Sequence, residues 1–334
     1  MFTQKGFTHY LNGNGRPKIL LIGNGLERVC GGDDWQKLLE DPEICKVDKT
    51  VRDVIKDLPF PLKYELMSTE KNPHANFTAA DLDEESRRLS NMMKKIMAAS
   101  IDIDGSHALF KKLTELDVDH IFTTNYSYCP EKAFLPKRSF ASKKTRMAFR
   151  FSLHTDNEGR QKQERSYRIH TGYLMRSEKS GREVGIWHIH GECSVPTGVV
   201  LGHDKYGRLL SRIVNTCCGI DYDNKIRNKP NYTFTSWPEL FLFGDIYVLG
   251  FGLYECEFDL WWLLRRKQRE KYADGKVYYY QHDPLSDSDP HQLLLRAHGV
   301  EIVTNEYSDG GKDTFADYYN AAFEDIKARL ESLK

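Results

Sequence analysis

Six short apolar runs, each stopped by a polar or glycine-containing turn, constrain this chain most. They are Lys18–Ile22, His120–Thr124, Gly185–His190, Asp245–Leu249, Lys276–Tyr280 and Val300–Thr304. A strand with one face in water alternates apolar and polar residues, whereas a strand covered on both faces does not. Stretches with helical spacing lie between the runs. One carries Leu89, Met92, Met93 and Ile96, and another Leu109, Phe110, Leu113 and Leu116. A short apolar helix is predicted over Trp237–Phe243. A further one is predicted over Glu257–Tyr272, acidic at its start and basic at its end, as the helix dipole favours. Strands that alternate with helices predict an α/β fold built on a parallel sheet of about six strands, with helices on both faces.

Two regions interrupt that alternation within a single domain spanning 1–334. Residues 41–110 read as a mainly helical insertion, although Pro59 and Pro61 disfavour helix around Phe60. Residues 131–184 read as a basic insertion or loop. Glu131–Arg168 holds eleven Lys or Arg against four Asp or Glu, a net +7. Such a run is a solvated loop, a partner-docking surface or a nucleic-acid patch. The whole chain balances 48 basic against 48 acidic residues, which excludes a protein that coats nucleic acid with its entire surface. Its seven cysteines are scattered, with no CxxC pair, which fits a reducing compartment and gives no structural zinc site. No apolar run approaches the roughly 20 residues of a membrane span, and the N-terminus lacks a signal-peptide core. The chain therefore reads as cytoplasmic.

The strand ends carry the residues with chemistry. Gly23-Asn24-Gly25 follows the first run and precedes a helix, the arrangement in which a backbone approaches a pyrophosphate. Arg28 stands where a third glycine would complete the usual pattern, so a plain strand–turn–helix corner is the alternative. Thr124 and Asn125 end the second run. An asparagine there offers a donor and an acceptor without charge, or serves simply as a turn residue. His190-Gly191 ends the third, with His188 read on the same face; a packed core histidine is the bland reading. Gly250, Gly252 and Leu253 follow the fourth, trailed by Glu255, Glu257 and Asp259, which are alternatively caps of the next helix.

Taken in order, the glycine turn, TTNY, HIHG with PTGVVLG downstream, and VLGFGL resemble the sirtuin-like (silent information regulator two-type) family in its bacterial NAD-hydrolase branch. The resemblance implies a Rossmann-like sheet with a smaller inserted module. It implies NAD as substrate, held by Gly23, Asn24, Gly25, Thr124, Gly250, Gly252 and Leu253, with Asn125 and His190 as the catalytic pair. It further implies an NAD glycohydrolase releasing nicotinamide and ADP-ribose, an antiphage defence effector held off by homo-oligomerisation or by a partner such as a HerA-type ATPase. The alternatives are an NAD- or ADP-ribose-binding regulatory subunit of a defence complex, and a DNA-acting subunit using the basic insertion. The chain departs from protein-deacylating relatives in lacking their zinc module, so no zinc or other metal is expected. Their acidic residue two positions after the asparagine is here Ser127, and Cys30–Trp35 replaces their loop after the glycines, with Asp33, Asp34 and Trp35 as candidate pocket residues.

Overall fold

The computed structural model describes residues 15–32, 39–41, 45, 47–68, 86–96, 108–135, 140, 142–154, 158, 164, 166–177, 181–228, 232–282, 286–304 and 315–332. The chain begins with β1 (Lys18–Ile22) and α1 (Asn24–Val29). Helices α2 (Lys49–Val54), α3 (Phe60–Ser68), α4 (86–96) and α5 (Ala108–Leu113) precede β2 (His120–Thr123). Next come α6 (Cys129–Phe134), α7 (Lys143–Phe149), β3 (Arg150–Ser152), β4 (Thr171–Arg176) and β5 (Glu183–His188). Helices α8 (His203–Cys218), α9 (Tyr222–Asn228) and α10 (Trp237–Phe243) lead to β6 (Asp245–Leu249). The chain closes with α11 (Phe258–Arg269), β7 (Val277–Gln281), α12 (Pro290–Ala297), β8 (Val300–Thr304) and α13 (Phe315–Ser332).

The strands form one sheet in the order β3-β4-β5-β2-β1-β6-β7-β8. Neighbours from β5 through β8 pair in parallel, and these are the six predicted apolar runs. The expected count of about six is therefore corrected to eight. Strands β3 and β4 pair antiparallel and extend the sheet beyond β5. Both come from the 131–184 segment, where β3 has only three residues and its charged surroundings hide it. A second correction concerns Pro61. It lies one residue into α3, in the first turn, where its missing N–H would find no helical partner anyway.

Side-chain alternation distributes the strand residues between two cores. Leu20, Ile22, Ile121, Ile186, Tyr247 and Leu249 pack on one face beneath Met92, Met93, Phe110 and Phe323. Ile19, Leu21, Phe122, Trp187, Ile246 and Val248 pack on the other beneath Leu209, Leu240, Leu260 and Leu264. Every residue of β2 and β6 is buried, which is why neither run alternates in polarity.

β1 lies centrally. The chain leaves it toward β2 and β5, then returns to pair β6 on its other edge. In open sheets the crevice for a ligand lies at the carboxyl ends of the strands where the order reverses. Here that point falls at β1 and β6, beside β2.

Candidate active site

Two glycine turns close on each other at this point. Gly23 N donates to Leu249 O (3.2 Å) and Gly25 N to Gly250 O (2.9 Å). A Cβ on Gly23 would stand 2.6 Å from Gly250 O, and one on Gly25 would run into the Tyr319 hydroxyl of α13. These glycines are thus required by the packing of one turn on the other. Gly250 has φ +64 and Leu253 φ +45, and the Leu253 side chain is buried in the second core. Asp33–Trp35 lie outside the described residues.

Asn125 follows β2 and is buried. Its Nδ2 donates to Gly23 O (3.1 Å) and to Glu27 Oε1 of α1 (2.8 Å). A backbone carbonyl can only accept, so the amide orientation is fixed. Its Oδ1 points elsewhere and has no partner among the described residues; neither has Thr124 Oγ1. Ser127 Oγ donates to the same Glu27 oxygen (2.5 Å). The carboxylate absent at position 127 is therefore supplied beside Ser127 by the glycine-turn helix. Burial pushes the Glu27 carboxyl above its ordinary range, although the bonds from Ser127 and Asn125 pull against it.

His190 lies just beyond the end of the neighbouring strand β5. Thr123 pairs with His188, so the chain leaves β2 and β5 together, and Asn125 and His190 each lie two residues beyond that pair. Val200 N donates to His190 O (2.9 Å) and Cys193 N to Tyr126 O (2.9 Å), which ties the turn to the segment after β2. Gly191 adopts φ +93, and a Cβ there would collide with Gly198 O, so the reversal after His190 needs glycine.

The two histidines do not share a face, contrary to the sequence expectation. β5 ends at His188 and the next residues turn, so strand alternation no longer applies. His188 packs among Tyr128 and Tyr173, with Nε2 2.8 Å from Glu131 Oε1 and Nδ1 3.0 Å from Asn125 O. Burial disfavours its charge, but Glu131 outweighs that and raises its pKa to about 9. His188 is a buried ion-pair partner that props the Asn125 backbone. His190 instead meets Tyr206 of α8, at 5.3 Å between ring centroids.

His190 Nε2 lies 3.0 Å from Asp259 Oδ2 and 3.7 Å from Glu257 Oε2. Burial lowers the histidine pKa, yet the two carboxylates together hold it above its ordinary value. Burial drives the Glu257 carboxyl up to about 7. Among the described residues, His190, Glu257 and Asp259 form the one group of potential metal ligands, with atoms within 4.8 Å of one another. Direct bonds account for that proximity. Asp259 accepts from His190, and Glu257 Oε2 accepts from the Tyr206 hydroxyl at 2.9 Å. Glu257 sits at the N-cap of α11 without capping it, so the helix-cap reading of these acids does not hold for Glu257.

A separate cleft opens on the His188 side of the turn, between Arg168, Thr171, Tyr173 and Glu192. Glu192 there accepts from the Tyr128 (3.1 Å) and Tyr173 (2.7 Å) hydroxyls and pairs with Arg168. Part of the basic segment is thus spent internally, and Arg146 likewise stacks over the Tyr128 ring at 5.4 Å.

The residues missed by sequence reasoning are Glu27, Glu131 and the partnership of Asp259 with His190. Each is an acidic residue whose inward direction only the fold sets. A search among curated proteins returns no match. The family model for the SIR2-like domain matches residues 119–303, from the start of β2 into β8 and including Asn125, His190 and Asp259, and on that match the chain belongs to the SIR2-like family.

Proposed function

We propose that this protein hydrolyses NAD to nicotinamide and ADP-ribose, with Asn125 and His190 as the reacting pair. Membership of the SIR2-like family brings NAD-related chemistry in general. The observation that supports the finer reading is that Asn125 and His190 each follow the end of one of two adjacent parallel strands, with Thr124 Oγ1 and Asn125 Oδ1 lacking partners among the described residues. Buried polar atoms are ordinarily paired, so two unpaired buried oxygens at the carboxyl end of β2 suit a hydroxylated ligand such as a ribose.

The chemistry asks little of the protein beyond orientation and a base. The bond from ribose C1′ to the nicotinamide nitrogen breaks, and its electron pair neutralises the cationic ring, so no general acid is needed. A water oxygen bonds to C1′, and its proton passes to His190. Asn125, presenting its carbonyl oxygen, aligns the water or a ribose hydroxyl without a full negative charge. Holding these groups together supplies much of the acceleration, and proton transfer to a positioned base adds about 10²- to 10⁴-fold. On this reading the protein is an NAD-depleting defence effector, restrained by self-assembly or by a partner ATPase.

The test is NAD turnover by the purified protein, alone and with candidate partners, beside Asn125→Ala and His190→Ala. Loss of nicotinamide release in both variants, with wild-type folding, is expected. Undiminished release in both overturns the reading. NAD binding without turnover in the wild type under every condition would favour a regulatory subunit instead.

A further inference from the structure

We propose that Asp259 is a positioning residue for His190, holding its Nε2 and reserving Nδ1 for the proton transfer. This inference rests on the hydrolase reading above and adds the group that sets which nitrogen acts. Asp259 is wholly buried on the first turn of α11, and its Oδ2 takes His190 Nε2 at 3.0 Å. A carboxylate can only accept, so Nε2 carries the hydrogen and the neutral ring keeps its lone pair on Nδ1. When Nδ1 gains a proton, the imidazolium forms against a negative charge already in place. A buried carboxylate that orients a histidine base and stabilises its cation in this way is the logic of the Ser-His-Asp triad, here without a serine.

The surroundings make Asp259 the partner that matters. From α11 and its N-cap, Asp259 and Glu257 face the ring. From α8, Tyr206 packs against it and ties up Glu257 through its hydroxyl. Tyr126, after β2, commits its own hydroxyl to Val200 O at 2.7 Å. Glu257 stands 3.7 Å from Nε2, beyond hydrogen-bond range, so it contributes field but not direction. Asp259 also keeps Oδ1 without a partner among the described residues. The sheet supplies the rest of the constraint, since His190 sits in a turn locked by Gly191.

Ring-nitrogen NMR on histidine-labelled protein tests the contact without any turnover, with His190→Gln assigning the signal. The wild type is expected to show the Nε2–H tautomer when neutral. Asp259→Asn is expected to titrate at lower pH, because the carboxylate that favours the cation is gone. In NAD turnover, Asp259→Asn is expected to lose about 100-fold in kcat with KM changed less than about threefold, and its acid limb moves down in pH. Asp259→Glu is expected to recover part of kcat. An Nδ1–H tautomer in the wild type overturns the proposal, and so does an Asp259→Asn enzyme matching the wild type in kcat and pH profile. Should Asp259→Asn fail to fold, the wild-type tautomer decides. If His190→Ala keeps full turnover, the assignment of His190 as the base fails, while the wild-type ring titration still tests the Asp259 contact.

Discussion

The buried His188–Glu131 pair makes stability depend on pH in a specific window. His188 is almost fully buried and Glu131 completely so, with 2.8 Å between Nε2 and Oε1. In the folded chain the His188 pKa is about 9, against 6.5 for an unperturbed histidine. The folded state therefore binds more protons than the unfolded state between those values. Stability from the pair is fully present below about pH 6.5 and is lost as pH rises through about 9. A difference of 2.5 pKa units corresponds to about 3 kcal/mol, at about 1.4 kcal/mol per unit. Glu131→Gln keeps the shape and removes the charge. Its stability deficit relative to the wild type should shrink by about 3 kcal/mol between about pH 6 and about pH 10. The measurement is reversible urea unfolding followed by tryptophan fluorescence, at constant ionic strength across that range. Other titrations, such as that of Lys267, whose pKa burial draws down to about 7, occur in both proteins and cancel in the difference. A deficit that stays constant, or grows as pH rises, would refute a charged His188.

Further predictions concern the turns and the carboxylates. Gly191→Ala forces a left-handed residue into Gly198 O and should cost at least about 2 kcal/mol in chemical unfolding, with loss of NAD turnover. Gly25→Ala should destabilise through Tyr319 and Gly250, and Tyr319→Phe in the same chain should restore only part of the loss, because Gly250 O would remain 2.8 Å away. Glu27→Ala should leave Asn125 without one of its two Nδ2 acceptors and lower nicotinamide release about tenfold or more, with Ser127→Ala milder; equal turnover would show that Asn125 needs no such support. Trp187→Ala opens a cavity in the second core and should cost about 3–5 kcal/mol by denaturant titration.

The sequence by itself determined the parallel core and the places where chemistry could sit. The six apolar runs are the six parallel strands, because strands largely covered on both faces are rich in apolar residues without alternation. Turn residues after those strands marked Gly23, Asn125, His190 and Gly250, since a chain leaving a buried strand must bend there. Strands β3 and β4 were not legible, one being three residues long and both lying in a charged segment. Only the tertiary structure separated the two histidines. Their spacing of two implies a shared face, but β5 stops at His188, and the turn sends His190 toward α11. Only the fold likewise gave each of these side chains its carboxylate: Glu27 for Asn125, Glu131 for His188 and Asp259 for His190, 98, 57 and 69 residues apart in sequence. Local pattern records burial and turning. Contacts between distant residues depend on how the elements stack, and no spacing along the chain encodes them.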